Sequence, residues 1–155
     1  MKYEAIGEAK ATTIAAAVEL VRRRENVVAE QILGSEDIFK AVVSKVVDET
    51  REYAYALYLN TSNRLIRLVN IGIGGIDTTL VDIRFLIAEA LKLNATAVAL
   101  VHNHPSGSLM PSRQDDELTN NLSKACSLMK IRFVDHVIIS SNGKDYYSYH
   151  DKGRV

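Results

Sequence analysis

"ATAVALVHNHPSG" (residues 95–107) opens with small, β-branched and apolar residues and closes on two histidines, a proline and a glycine. Its first part, 95–101, leaves no face for water, which predicts a central strand buried on both sides. Pro105 and Gly107 break that strand. Side chains two apart on an extended chain project from the same face, so His102 and His104 are expected to face one point where the strand runs out. In sheets flanked by helices, that edge is where sites form. Two converging imidazoles are half of a typical zinc site, and a catalytic one needs a further protein ligand and an open position for water. Asp115 is the candidate third ligand, arriving in the first turn of the next helix. A second reading stays open at this point, in which both histidines are simply hydrogen-bonded at a strand end. "PSRQD" (111–115) has its own structural account, since Ser112 three residues before Asp115 resembles a capping box.

Outward from this stretch, the pattern predicts a mixed sheet with helices packed on it. "REYAYALYLN" (51–60) is apolar on both faces and suits a buried strand, "TSN" supplies turn chemistry, and "RLIRLVNIGIGG" (64–75) reads as the returning strand of a hairpin. A helix fits 82–93, where Ile83, Leu86, Ile87, Ala90 and Leu91 recur at helical spacing, and another fits 113–129 through Leu118, Leu122, Ala125, Cys126 and Met129. "IRFVDHVIIS" and "KDYYSYH" read as two closing strands. "LGSEDIFKAVVSKVVDE" (33–49) reads as a helix with Ser35 as its N-cap. Near the N-terminus, Ile14, Val18 and Val21 form one helical stripe ending in Arg22, Arg23 and Arg24. These arginines read as a solvated, dipole-favoured helix end, with a phosphate clamp as the alternative.

The 155 residues suit one compact domain. A formal net charge of zero gives no global field toward nucleic acid or acidic lipid. No apolar run approaches the length of a membrane span, and no apolar signal region opens the chain. The single cysteine, Cys126, cannot form an internal disulfide and lies on an apolar helical stripe. It reads as core filler in a protein of the reducing cytoplasm.

"HNHPSG" followed by "PSRQD" has His102 and His104 separated by one residue, then ten residues between His104 and Asp115, with Ser112 three residues ahead of the aspartate. This resembles the JAMM motif of the JAB1/MPN metalloprotease superfamily, and most nearly its RadC branch, bacterial proteins long labelled DNA-repair factors. "REYAYALYLNTSNRLI", "AEALKLNATAVALVHNHPSG", "PSRQDDELTNNLSKA" and "DHVIIS" resemble RadC segments in the same order, from about residue 30 to 155. Asn60 departs from a usual aspartate, and "GIGG" from a more usual Gly-Thr. The resemblance implies an α/β (α+β) fold, a mixed sheet with flanking helices in the JAB1/MPN, cytidine-deaminase-like arrangement, over 29–155. "EAIGEAKATTIAAAVELVRRR" resembles the end of a helix-hairpin-helix module, so residues 1–28 are expected to be its tail and the chain a fragment of a longer protein.

The same resemblance implies zinc held by His102, His104 and Asp115, with Glu52 as general base and acid and Ser112 as a hydrogen-bond donor to the oxyanion. Glu49 is a rival for the glutamate, and the segment match favours Glu52. The implied function is a zinc-dependent metallopeptidase or isopeptidase acting on a peptide or isopeptide substrate. The alternative is a binding module of DNA repair or recombination with a structural metal, reaching nucleic acid only through the helix-hairpin-helix module. A zinc nuclease would call for a cation beside the metal, and Arg113 is the one nearby. His136, within a strand, reads as a satisfied buried histidine or as a support for a ligand. His150 reads as exposed.

Overall fold

The structure, a computed structural model, describes residues 30–74 and 81–155. The expected N-terminal helix with Arg22, Arg23 and Arg24, and the tail over 1–28, lie outside the described residues. Helix α1 (Ser35–Val46) is followed by the hairpin β1 (Tyr53–Leu59) and β2 (Leu65–Ile73), then helix α2 (Ile83–Lys92), strand β3 (Ala97–His104), helix α3 (Arg113–Leu128) and strands β4 (Arg132–Ser140) and β5 (Tyr146–Ser148). The strands form one sheet in the order β2-β1-β3-β4-β5, with β3 and β4 parallel and every other pair antiparallel. This is the mixed α+β sheet with flanking helices that the sequence predicts. No helix among the described residues is long and apolar enough to cross a membrane.

Strand alternation divides the core between two faces. On one, Ile38, Val42 and Val46 of α1 pack on Leu57, Leu59, Ala97, Ala99, Val101, Val137 and Ile139. On the other, Leu86 and Ala90 of α2 and Leu122 and Cys126 of α3 pack on Ala54, Ala56, Tyr58, Val98 and Leu100. Alanines on both faces let helices approach the sheet closely, and β3 is buried along its whole length. Burial pushes the Cys126 thiol up to about 11, in keeping with a core residue.

Two expectations shift. The N-cap of α1 is Gly34, with no side-chain cap; Ser35 is the first helical residue, and its hydroxyl donates to Asp151 Oδ2 at 2.6 Å instead. The central strand runs three residues past the predicted end at 101, through both histidines. The ladder carries it there, because β4 continues to pair with it as far as His104↔Ser140. The β1–β2 turn is held by Asn60, whose Oδ1 accepts from the backbone N–H of Ser62 and Arg64 at 2.9 and 3.0 Å. Aspartate would make the same bonds, so the departure at this position leaves the turn chemistry unchanged.

On its other side, β3 loses its backbone partner sooner. The β1–β3 ladder ends at Ala54↔His102. Beyond it the buried Asn103 amide takes over, accepting from Tyr53 N–H at 2.7 Å and donating to Arg51 C=O at 3.0 Å. A side-chain amide has the same donor and acceptor as a peptide group, so it continues the ladder while holding β1 further away. Asn103→Ala should orphan both backbone groups and lower unfolding stability by about 2 kcal/mol, read from the urea midpoint; an unchanged midpoint would show that the clasp contributes nothing.

Candidate metal centre

The carboxyl end of β3 and the amino end of α3 meet on the face packed by α2 and α3. Even-numbered residues of β3 point there, so His102 and His104 continue the row begun by Val98 and Leu100. After His104 the chain turns sharply. Gly107 N–H donates to His104 C=O at 2.9 Å, and Gly107 adopts a φ of 79°, a left-handed conformation that suits glycine. The turn brings the Ser108 carbonyl to 2.8 Å from His104 Nδ1. A carbonyl only accepts, so His104 carries a proton on Nδ1, and its Nε2 in the neutral ring is a bare electron pair.

Helix α3 begins with the capping box read from the sequence. Asp115 N–H donates to Ser112 Oγ at 3.1 Å, and Ser112 N–H donates to Asp115 Oδ2 at 2.7 Å. The Ser112 hydroxyl also donates to Asp115 Oδ2, at 2.7 Å. The capping account and the ligand account of Asp115 are therefore compatible, because the cap is what aims the carboxylate. Asp115 Oδ1 lies 3.1 Å from His102 Nε2, and Oδ2 lies 3.6 Å from His104 Nε2. The two Nε2 atoms are 3.0 Å apart. His102, His104 and Asp115 thus form a group whose ligand atoms lie within 4.8 Å of one another, and which could hold a metal ion.

The electrostatics fit a cation at that point. Burial would raise the Asp115 carboxyl, but hydrogen bonding to the His102 and His104 rings, with Ser112, outweighs it and holds the group far below the usual carboxylate range. Burial would lower the His104 imidazole, but the Asp115 carboxylate and the Ser108 carbonyl prevail and raise it, with Glu52 adding to the effect. A carboxylate with imidazole nitrogens in a largely water-free corner favours positive charge, whether proton or metal. Two imidazoles and one carboxylate are a ligand set suited to zinc.

Glu52 immediately precedes β1. Its charge is felt at His104. Arg51 and Tyr53 on either side of it are the residues clasped by Asn103. Arg113 is exposed and pairs with Glu117 at 3.5 Å. His150 is exposed beside Asp151.

Residues beneath the ligands were less legible. His136 of β4 is fully buried; its Nε2 lies 2.8 Å from His102 Nδ1 and its Nδ1 lies 2.6 Å from Thr119 Oγ1. Both readings of His136 hold, since it is a satisfied core residue and one of its bonds goes to a candidate ligand. The Tyr149 ring stacks on it at 5.0 Å, nearly parallel. Thr119 could have been found from its spacing, four residues after Asp115 on one helical face. For His136 the sequence leaves two readings open, because its approach to His102 depends on the β3–β4 register.

The profile of the family described as the RadC-like JAB domain matches residues 32–154. A UPF0758 protein of Chlorobaculum tepidum is 38% identical over 152 residues, 97% of this chain and 68% of its own length. A UPF0758 protein of Streptococcus gordonii is 38% identical over 150 residues, 95% of this chain and 66% of its own. One from Porphyromonas gingivalis is 37% identical over 154 residues, with shares of 97% and 67%. The chain spans about two thirds of the length of these relatives.

Protein prepared without chelator is expected to carry a stoichiometric divalent ion by elemental analysis. His102→Ala and Asp115→Ala should lose it, and His150→Ala should keep it. Protons compete for the same electron pairs, and His104 titrates above the ordinary histidine value. Zinc affinity in a competition assay should therefore weaken as pH falls, starting somewhat above about pH 6.5. Affinity independent of pH across that range would remove His104 from the ligand set.

Proposed function

We propose that this chain, which belongs to the RadC-like JAB domain family, is a zinc-dependent hydrolase of amide bonds, a metallopeptidase or isopeptidase. The observation that carries this reading is the convergence of His102, His104 and Asp115, with Glu52 near enough for its charge to be felt at His104. Three protein ligands leave a position open for water, as a catalytic zinc site requires. When bound in such a set, zinc acts as a Lewis acid and brings the pKa of water toward about 7.

The chain's own groups then have separate tasks. Glu52 accepts the proton of the attacking water and returns it to the leaving nitrogen, the step that lets an amine depart in place of an amide anion. Asn103, by holding Arg51 and Tyr53, keeps the Glu52 backbone at a set distance from β3. Ser112 donates to the oxyanion that forms on the attacked carbonyl. Its hydroxyl donates to Asp115 Oδ2 in the resting arrangement, and would turn from that bond to reach the substrate.

The substrate on this reading is a peptide or isopeptide. An exposed, ion-paired Arg113 gives little to hold a phosphodiester, which weighs against nuclease chemistry. Nucleic acid is a partner only through a helix-hairpin-helix module of the kind whose end residues 1–28 resemble, since the formal charge of zero supplies no attraction of its own. The reducing cytoplasm suits a chain whose only cysteine is a buried thiol.

The test is a screen of the zinc-loaded protein against peptide, isopeptide and small-amide substrates. Glu52→Gln should abolish cleavage while retaining zinc. Ser112→Ala should lower kcat by about 10²- to 10³-fold and cost about 1 kcal/mol of stability through the lost cap. A fully active Glu52→Gln protein would overturn the proposed base, and cleavage that survives removal of zinc would overturn the reading as a whole.

A further inference from the structure

We propose that Thr119 and His136 are positioning residues that fix the proton of His102 on Nδ1 and so keep its Nε2 open for a cation. The inference rests on His102 being a metal ligand, and it concerns how the protein readies that ligand.

The direction of each proton follows from one acceptor. Thr119 Oγ1 lies 2.6 Å from the backbone carbonyl of Asp115. A carbonyl has no proton to give, so the single hydroxyl proton of Thr119 is committed there. Thr119 Oγ1 also lies 2.6 Å from His136 Nδ1. With its proton spent, the oxygen can only accept in that contact, and His136 must carry a proton on Nδ1. His136 has no exposed surface, and its two ring nitrogens bond a hydroxyl and an imidazole rather than a carboxylate. A second proton would bury a charge without a bonded counter-ion, which a fully buried ring disfavours. Its Nε2 is therefore an acceptor, and the 2.8 Å contact is a donation from His102 Nδ1–H.

Every proton in the chain thus points one way: from His102 to His136, from His136 to Thr119, and from Thr119 to the carbonyl of Asp115. Bonds aligned in one direction polarise one another. The far end is the backbone of another candidate ligand, so the relay ties the β3 histidine to the helix that carries the aspartate. Ser108 does for His104 what the relay does for His102. The outcome is two bare Nε2 atoms 3.0 Å apart beside a carboxylate, an arrangement that repels itself until a cation sits between them. Tyr149, stacked on His136, keeps the middle ring in plane.

Without the Thr119 hydroxyl, His136 is free to carry its proton on Nε2. It would then donate to His102 Nδ1, and the His102 proton would move to the nitrogen that faces the ion. Zinc affinity, measured with Zn2+ alone against a chromophoric chelator, should fall about 10- to 100-fold in Thr119→Val, the range for loss of a ligand-supporting bond. Thr119→Ser restores the hydroxyl and should bind within about threefold of the parent. Thr119→Val affinity equal to the parent would overturn the inference.

The second measurement needs neither a variant nor metal. Long-range proton–nitrogen correlation spectra of the metal-free parent, above the imidazole titration range, should show His102 with its proton on Nδ1. A proton on Nε2 overturns the inference even if zinc binds. A parent that takes up no zinc yet shows the Nδ1 form overturns the metal reading and leaves the relay standing.

Discussion

The convergence of three electron-rich groups on one positive charge, proton or metal, at the end of β3 is the constraint around which the rest of the molecule is arranged. Two imidazole nitrogens and a carboxylate are held 3.0 to 3.6 Å apart in a corner with little water to separate them. Left alone, such groups would swing away from one another. They stay because each is pinned from behind: His104 by the Ser108 carbonyl, His102 by His136, and Asp115 by the Ser112 cap. Each pin comes from a different element, so the helix, the turn and the neighbouring strand all have to be in place first. The fully buried central strand is the rigid bar to which all of them are referred.

The C-terminal residues belong to the same arrangement. Tyr149 stacks on His136 and donates through its hydroxyl to Asp116 Oδ1 at 2.7 Å, one residue from Asp115. Arg154 bonds the same Asp116 oxygen at 2.7 Å and lies over the Tyr149 ring. The buried Asp135 fastens this segment to β4, accepting from the backbone N–H of both His136 and His150 and from the Ser148 hydroxyl at 2.6 Å. Burial raises its pKa against the lowering effect of those bonds. Tyr149 falls in "KDYYSYH", the stretch that reads as the last strand, but lies just past β5 and stacks on the ring bonded to a candidate ligand.

Membership of the RadC-like JAB family is consistent with this construction without defining its chemistry, because the relatives matched are UPF0758 proteins whose names state no activity. Asn60 illustrates how a departure from a family pattern can be neutral. The turn needs an oxygen at that position, and an amide supplies it as well as a carboxylate would. Asn103 illustrates the reverse. Its turn to the opposite side of the strand from the two histidines looks incidental in the sequence, yet it clasps the residues on both sides of Glu52.

The sequence by itself determined the elements and the three residues, His102, His104 and Asp115, that the structure brings together as a candidate metal group. Alternation, helical spacing and turn residues are local properties, so the sheet with its helices, the capping box at Ser112 and the shared face of His102 and His104 could be read directly. Only the tertiary structure decided which groups stand behind the ligands. His136 reaches His102 because β4 lies parallel to β3 in a register that pairs Leu100 with His136 and His102 with Ile138. Sliding that register by one residue would turn His136 to the other face. Register is set by the packing of both faces at once, a long-range property that no window of sequence contains.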